Sequence, residues 1–316
     1  VPQLEQLMAT AALFGVHPSH AFTSVETSPE YADRPRLNVL KKAGVSRVSI
    51  GIQSFQDEEL KAIKRRPRQN TIYQALDDIR QMDFPYFNID LIYGIKGQTV
   101  ESFLYSLEEA LRFQPNELFI YPLYVRQGTG ITEREPDDVC FRMYRAACKL
   151  LQAKGFLQTS MRRFIHHPST DAEVSCGDEV MLSCGSGGRS YLGDLHYATR
   201  YTVCQQCIAR EIDEYMATTD FTVARNGFIL SAKEQQQRFI IKNLMYYMGI
   251  DKAEYTRRFG EPLDRTPLFR QLAEQYWIEE TPERIRLTPE GLGYSDYIGQ
   301  LFITPEIRQL METYSY

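Results

Sequence analysis

The stretch Val45-Ser46-Arg47-Val48-Ser49-Ile50-Gly51-Ile52-Gln53-Ser54-Phe55 decides the architecture. Residues 45–52 read as a strand that is nearly continuous in apolar and β-branched residues, set off by Gly44 before it and by a polar Gln53 after it. A run of this kind belongs to a strand covered on both faces. On its N-terminal side, Leu37 and Leu40 keep helical spacing up to Gly44, behind a strand candidate at 21–26. On its C-terminal side come an amphipathic helix at 71–82, with Ile72, Ala75, Leu76 and Ile79 on one face, and a strand at 87–93. A helix at 100–113, a strand at 118–125, a helix at 137–154 closed by Gly155 and a strand at 157–165 complete the series. Such alternation predicts an α/β fold, a parallel sheet covered by helices and joined through right-handed crossovers.

The chain of 316 residues has room for one large domain and a smaller one. A hydrophobic share of 43% with 24% charged residues is that of an ordinary soluble protein. No apolar run is long enough to span a membrane. Net charge is −5 with both signs interspersed, and the basic run at 61–68 is the longest, so nucleic acid is not an expected partner. The first residues, Val1-Pro2-Gln3-Leu4-Glu5, have neither the basic nor the apolar region of a signal peptide. They read as the start of a helix within a longer parent protein. Six cysteines without a signal peptide predict free thiols and a cytoplasmic location.

Residues 168–201 are rich in Gly and Ser, including Gly177, Gly185, Gly187, Gly188 and Gly193, and read as a structured loop region. Beyond residue 228 the pattern changes. A helix at 231–248 opens on a capping box of Ser231 and Glu234. Short helices at 252–259 and 268–276 follow, then strand candidates at 277–279 and 284–287 around a turn at 281–283. Three helices and a hairpin make a winged-helix-like module, but Glu279, Glu280 and Glu283 would repel phosphate, which predicts a structural role. The expected organisation is a partial barrel at 1–165, a Gly-rich connecting region and barrel extension at 166–227, and a C-terminal winged-helix domain at 228–316.

Four strands carry a polar group at or near their C-terminal ends: Glu26, Gln53, Asp90 and Tyr124. One such residue is ordinarily a hydrogen-bonded loop or strand-end group, but four converge where α/β barrels place their sites. Asp90 interrupts an apolar strand, and a buried carboxylate is costly unless it is paired or hydrogen-bonded, or serves as an acceptor for sugar hydroxyls. Arg65 follows the helical run 57–64, where an Arg is usually solvated; aimed at the barrel mouth, it would bind a carboxylate bidentately. The thiols of Cys204-Gln205-Gln206-Cys207, with Cys176 and Cys184, would suffice for zinc or an auxiliary cluster, although free cysteines are the favoured reading. His196 reads as a packed, hydrogen-bonded residue before a haem ligand or a proton shuttle.

The successive segments SVETSP (24–29), GVSRVSIGIQSF (44–55), NIDLIYGIKGQT (88–99), YPLYVRQGTG (121–130) and MLSCGSGGRSYLGDLHYATRY (181–201) resemble the HemN-like radical S-adenosylmethionine (SAM) proteins, with IRLTPEG (285–291) in the family's C-terminal domain. The resemblance implies an incomplete parallel (β/α) radical SAM barrel with SAM at its mouth. It places Gln53 and Asp90 in the lining of the SAM site, with Asp90 on the ribose hydroxyls. Arg65 falls to the methionyl carboxylate, Glu26 beside the cofactor, and Tyr124 where backbone meets adenine. It further implies an oxidoreductase that cleaves SAM to a 5′-deoxyadenosyl radical with an electron from a [4Fe-4S] cluster, supplied by a donor such as flavodoxin. The substrate would be a small molecule, a porphyrinogen-type tetrapyrrole as in oxygen-independent coproporphyrinogen III oxidase; the alternative is a HemW-like haem chaperone. The family's CxxxCxxC cluster motif and Gly-Gly-Thr-Pro loop do not occur in this sequence and are expected upstream of Val1. The stretch by itself is therefore expected to do no radical chemistry, to bind neither cluster nor SAM appreciably, and to expose a sheet edge prone to aggregation. The haem chaperones' H-N-x-x-Y-W motif has no counterpart in residues 176–184, which contain no His, whereas the VRQGTG segment is closer to those proteins.

Overall fold

The computed structural model describes residues 1–66, 68–126, 128–166, 180–263 and 266–313. They fall into two compact units, Val1–Val125 with Glu133–Pro168, and Arg126–Thr132 with Ser169–Tyr316. In the first unit the order is α1 (Pro2–Leu13), β1 (Ser24–Thr27), α2 (Arg34–Ala43), β2 (Arg47–Gln53), α3 (Asp57–Ala62) and α4 (Gln69–Met82). It continues with β3 (Tyr86–Tyr93), α5 (Val100–Leu111), β4 (Glu117–Pro122), α6 (Asp137–Ala153), β5 (Leu157–Gln158) and β6 (Arg163–Ile165). The strands form one sheet in the order β1-β2-β3-β4-β6-β5. The strands β1 to β4 are parallel, as the sequence predicts, while β6 runs antiparallel to both its neighbours, β4 and β5.

Local chemistry sets the boundaries. The Asp33 side chain accepts from the Arg36 N–H to start α2, Pro35 occupies the first turn, and Gly44 at φ 84 ends it in the left-handed region. Thr99 and Ser102 form a reciprocal cap on α5. The single strand expected at 157–165 is instead a tight hairpin. Ser160 Oγ accepts from the N–H of Arg162 and of Arg163, and the Thr159 N–H donates to the Arg163 carbonyl at 2.9 Å, so the chain turns back at these hydroxyl residues.

One face of the sheet is apolar. Ile50, Ile89, Leu91, Leu118, Ile120 and Phe164 are all 0% exposed. They face a helical layer that buries Leu76 of α4, Phe103 and Leu107 of α5, and Leu151 of α6. Each such side chain stabilises the fold by about 1.5–3 kcal/mol. The other face is polar, and here the expectation of strands apolar on both sides is corrected. Glu26, Arg47, Ser49, Gly51, Asn88, Asp90 and Glu117 alternate with the apolar set along β1 to β4. These groups satisfy one another: Arg47 donates to Glu117 at 2.6 Å and to Ser24 at 2.9 Å, and Arg163 donates to Glu117 at 3.1 Å.

The second unit contains β7 (Val180–Met181), β8 (Arg189–Leu192), β9 (Leu195–Ala198), α7 (Gln205–Ala217) and β10 (Gly227–Ile229). Its strands form an antiparallel sheet in the order β10-β9-β8-β7, so the described part of the expected loop region contributes three short strands. The two-residue connection Gly193-Asp194, with Gly193 at φ 65, joins the paired Leu192 and Leu195 and is a hairpin signal. Cys176 lies outside the described residues. The remainder comprises α8 (Ala232–Leu244), β11 (Ile250–Asp251), α9 (Lys252–Phe259), α10 (Pro267–Glu274), β12 (Ile278–Glu280), β13 (Arg284–Leu287), α11 (Pro289–Gly293), α12 (Ser295–Leu301) and α13 (Pro305–Thr313). The capping box of Ser231 and Glu234 is present, and β11-β13-β12 form a small antiparallel sheet. Glu279 pairs with Arg286, and Glu280 with Lys252 at 2.6 Å, so the acidic wing is tied down by its own cations. No helix among the described residues is long and apolar enough to cross a membrane.

Candidate functional site

The polar face is most concentrated where β2 and β3 lie side by side. Asp90 is in register with Gly51, and the pairing then shifts, so that Gln53 faces Leu91. At this irregularity Gln53 takes φ 72, a left-handed conformation that costs a side-chain-bearing residue and that sites often retain. Its side chain folds back over Gly51: a Cβ there would stand 2.5 Å from Gln53 Nε2. Gly51 thus leaves room for the Gln53 amide at the strand position beside Asp90.

Asp90 lies within β3, three residues before its end, and is half-buried. Asn88 Nδ2 donates to its Oδ1 at 2.7 Å and Ser49 Oγ to its Oδ2 at 3.4 Å. The carboxyl is raised from the ordinary 3.8 to about 6 in all, chiefly by burial. The hydrogen bond from Asn88, the charge of Arg47 and the bond from Ser49 pull it down, while Glu26 pushes it further up. Glu26, exposed on β1, therefore shares this face, as does Tyr121 on β4, whose hydroxyl burial and the charges of Asp90 and Glu26 hold above its ordinary range. Asn88 is 0% exposed and its Oδ1 has no partner among the described residues. The cluster thus holds more acceptors than donors.

A second network, which the sequence alone did not reveal, fixes the loops that follow these strands. Glu59 of α3 is 5% exposed and accepts from Ser54 Oγ at 2.6 Å, from Gln98 Nε2 at 2.8 Å and from Ser102 Oγ. Gln98 Oε1 in turn accepts from the Gly94 N–H at 2.7 Å. One buried carboxylate therefore ties the turn after β2 to the turn after β3 and to the start of α5.

The remaining sequence candidates are more dispersed. Arg65 sits exposed in the segment after α3, its N–H bonded to the Leu60 carbonyl at 2.8 Å, and its side chain pairs with none of Glu26, Gln53 and Asp90. Tyr124 lies two residues beyond β4, 44% exposed, with its hydroxyl accepting from Arg162. His196, on β9 in the second unit, packs edge-on against Tyr191 with centroids 4.5 Å apart. Its Nε2 is buried without a partner among the described residues, rather than hydrogen-bonded as expected. Its imidazole is lowered by burial first, and then by Arg238.

SAM suits the acceptor-rich cluster, since it brings a vicinal diol as donor and a sulfonium cation that two carboxylates favour. The [4Fe-4S] cluster does not find its ligands here. The sequence has no CxxxCxxC, and among the described residues no three His, Cys, Asp or Glu are grouped to hold a metal.

Residues 2–110 match the radical SAM superfamily, and residues 230–293 match the HemN C-terminal domain. The chain is 26% identical over 295 residues to the heme chaperone HemW of Bacillus subtilis (strain 168), covering 88% of this chain and 76% of that protein. It is 25% identical over 291 residues to the oxygen-independent coproporphyrinogen III oxidase of Thermostichus vulcanus, covering 85% of this chain and 89% of the relative. The solved structure of coproporphyrinogen III oxidase (HemN) from Escherichia coli superimposes with a TM-score of 0.76 at 21% identity, over 96% of this chain and 74% of that one. The strands β1 to β3 lie in the segment that matches the radical SAM superfamily. Over most of its length the chain is similar to HemN-like radical SAM proteins, heme chaperones and coproporphyrinogen III oxidases alike.

Proposed function

We propose that this chain forms the SAM-binding sheet of a HemN-like radical SAM oxidoreductase acting on a small molecule, with a porphyrinogen-type tetrapyrrole as its substrate class. The observation that carries this reading is the acceptor-rich cluster of Asp90, Asn88 and Glu26 beside the strained Gln53. Asp90 and Gln53 would hold the ribose and its surroundings, Glu26 would face the sulfonium side, Arg65 would meet the methionyl carboxylate, and the backbone at Tyr124 would border the adenine. Bound beside a reduced cluster, SAM supplies one-electron cleavage chemistry. The cluster's thiolates are not among these residues, so the role of this chain is to bind and orient the cofactor and to keep it away from bulk water. A flavodoxin-like electron donor and a cytoplasmic setting belong to the same reading.

A haem-carrying role is the second reading, favoured by the HemW relative and opposed by the absence of a counterpart to H-N-x-x-Y-W. Two measurements separate the readings. The protein expressed from its gene, reconstituted anaerobically with iron and sulfide, should release 5′-deoxyadenosine from SAM in the presence of a porphyrinogen. A stoichiometric spectral shift on haem titration without any such release would reverse the choice.

A further inference from the structure

Cys204 and Cys207 take no part in the reading above. Cys204 is the N-cap of the 13-residue helix α7, and the Cys207 N–H donates to its carbonyl at 2.9 Å. That spacing sets both side chains on one side of the first helical turn. The two thiols hydrogen-bond each other, the Thr202 hydroxyl reaches Cys207, and Arg210 lies within electrostatic range. Both residues are half-exposed, so an incoming reagent has access to them. Among the described residues no third metal-ligating side chain joins the pair.

We propose that Cys204 and Cys207 are a redox-active dithiol–disulfide pair that exchanges with an external disulfide of the glutathione kind. The partial positive charge of a helix N-terminus favours a thiolate at its cap, which makes Cys204 the attacking sulfur. The Cys207 thiol is pushed up, chiefly by its hydrogen bond to Cys204, and so keeps its proton longer. The Cys204 thiolate attacks one sulfur of the incoming disulfide and expels a thiolate, which takes up a proton. Cys207 then loses its proton, attacks the Cys204 sulfur and releases the second thiol. Two S–H groups become one S–S bond, and the external disulfide is reduced to two thiols. The pair also borders Gly128, in the segment that follows β4. A Cβ built on Gly128, which stands at φ 89, would lie 3.4 Å from Cys204 Cα, so the two backbones run close together there.

Treatment of the protein with oxidised glutathione, followed by thiol counting, intact mass and peptide mapping, tests this. Two of the six thiols should disappear, with a cross-linked Cys204–Cys207 peptide and full reversal by dithiothreitol. Cys207→Ser should trap a glutathione adduct on Cys204, whereas Cys204→Ser should react at Cys207 at least about tenfold more slowly. Circular dichroism of each variant confirms that it is folded. A wild-type protein that retains glutathione on either cysteine without closing the internal bond would overturn the proposal. So would one zinc per chain that shields both thiols.

Discussion

Asp90 concentrates the argument at the scale of single residues, because its environment favours its neutral form. Between about pH 4 and pH 6 the folded chain holds a proton on Asp90 that the unfolded chain releases, so stability falls as pH rises through this window. Asp90→Asn removes the penalty while keeping an acceptor for Asn88. The variant should gain up to about 3 kcal/mol of stability at pH 7.5 and lose that gain near pH 4, as read by urea unfolding at both values. Equal stability of the two proteins at pH 7.5 would show that the burial of Asp90 is not costly. Gly51→Ala separates structure from site in the opposite way. Its new Cβ meets only the movable end of Gln53, in an extended backbone where alanine is tolerated. Stability should change by less than about 1 kcal/mol, while SAM affinity falls because the Gln53 amide is displaced. Calorimetry showing unaltered SAM affinity would remove Gln53 from the site. At this scale the sequence singled out Gln53 and Asp90 through their polarity in apolar strands. It gave no sign of Asn88, Ser49 or Arg47, because one polar residue in a β-rich run is ambiguous until the register sets it beside another.

At the scale of elements, the helices and parallel strands were legible because period and caps agreed: Ile72, Ala75, Leu76 and Ile79 on α4, Ser231 with Glu234 on α8, and Gly44 after α2. The faces of the strands were misread. Residues 45–52 look apolar throughout because Ser49 and Gly51 are small, yet they alternate with Val48, Ile50 and Ile52 as strictly as in a half-polar strand. The hairpin at Gly193-Asp194 was missed because glycine-rich surroundings masked a two-residue turn flanked by leucines. Glu59 shows why contacts between distant elements stay hidden: its donors lie at positions 54, 98 and 102. Glu59→Ala would remove the acceptor that Ser54, Gln98 and Ser102 share, leaving Gln98 the Ile92 carbonyl and Ser102 the Thr99 carbonyl. It should lower unfolding free energy by about 1–3 kcal/mol, measured by denaturant titration. A loss below about 1 kcal/mol would mean that water replaces the carboxylate and that the two turns are held otherwise.

At the scale of the molecule, the chain joins a segment that matches the radical SAM superfamily to one that matches the HemN C-terminal domain. Its sheet divides its labour: the apolar face holds the fold together, and we propose that the polar face receives a ligand rich in hydroxyl donors and positive charge. That division is the central claim, and binding of SAM to the polar face tests it most directly. In the protein expressed from its gene and reconstituted with iron and sulfide, calorimetric titration with SAM should show a single site. Asp90→Asn should weaken that site by about 10- to 100-fold and Arg65→Ala by about tenfold, through lost charge-assisted hydrogen bonds. SAM affinity unchanged in both variants, with both still folded, would contradict the account.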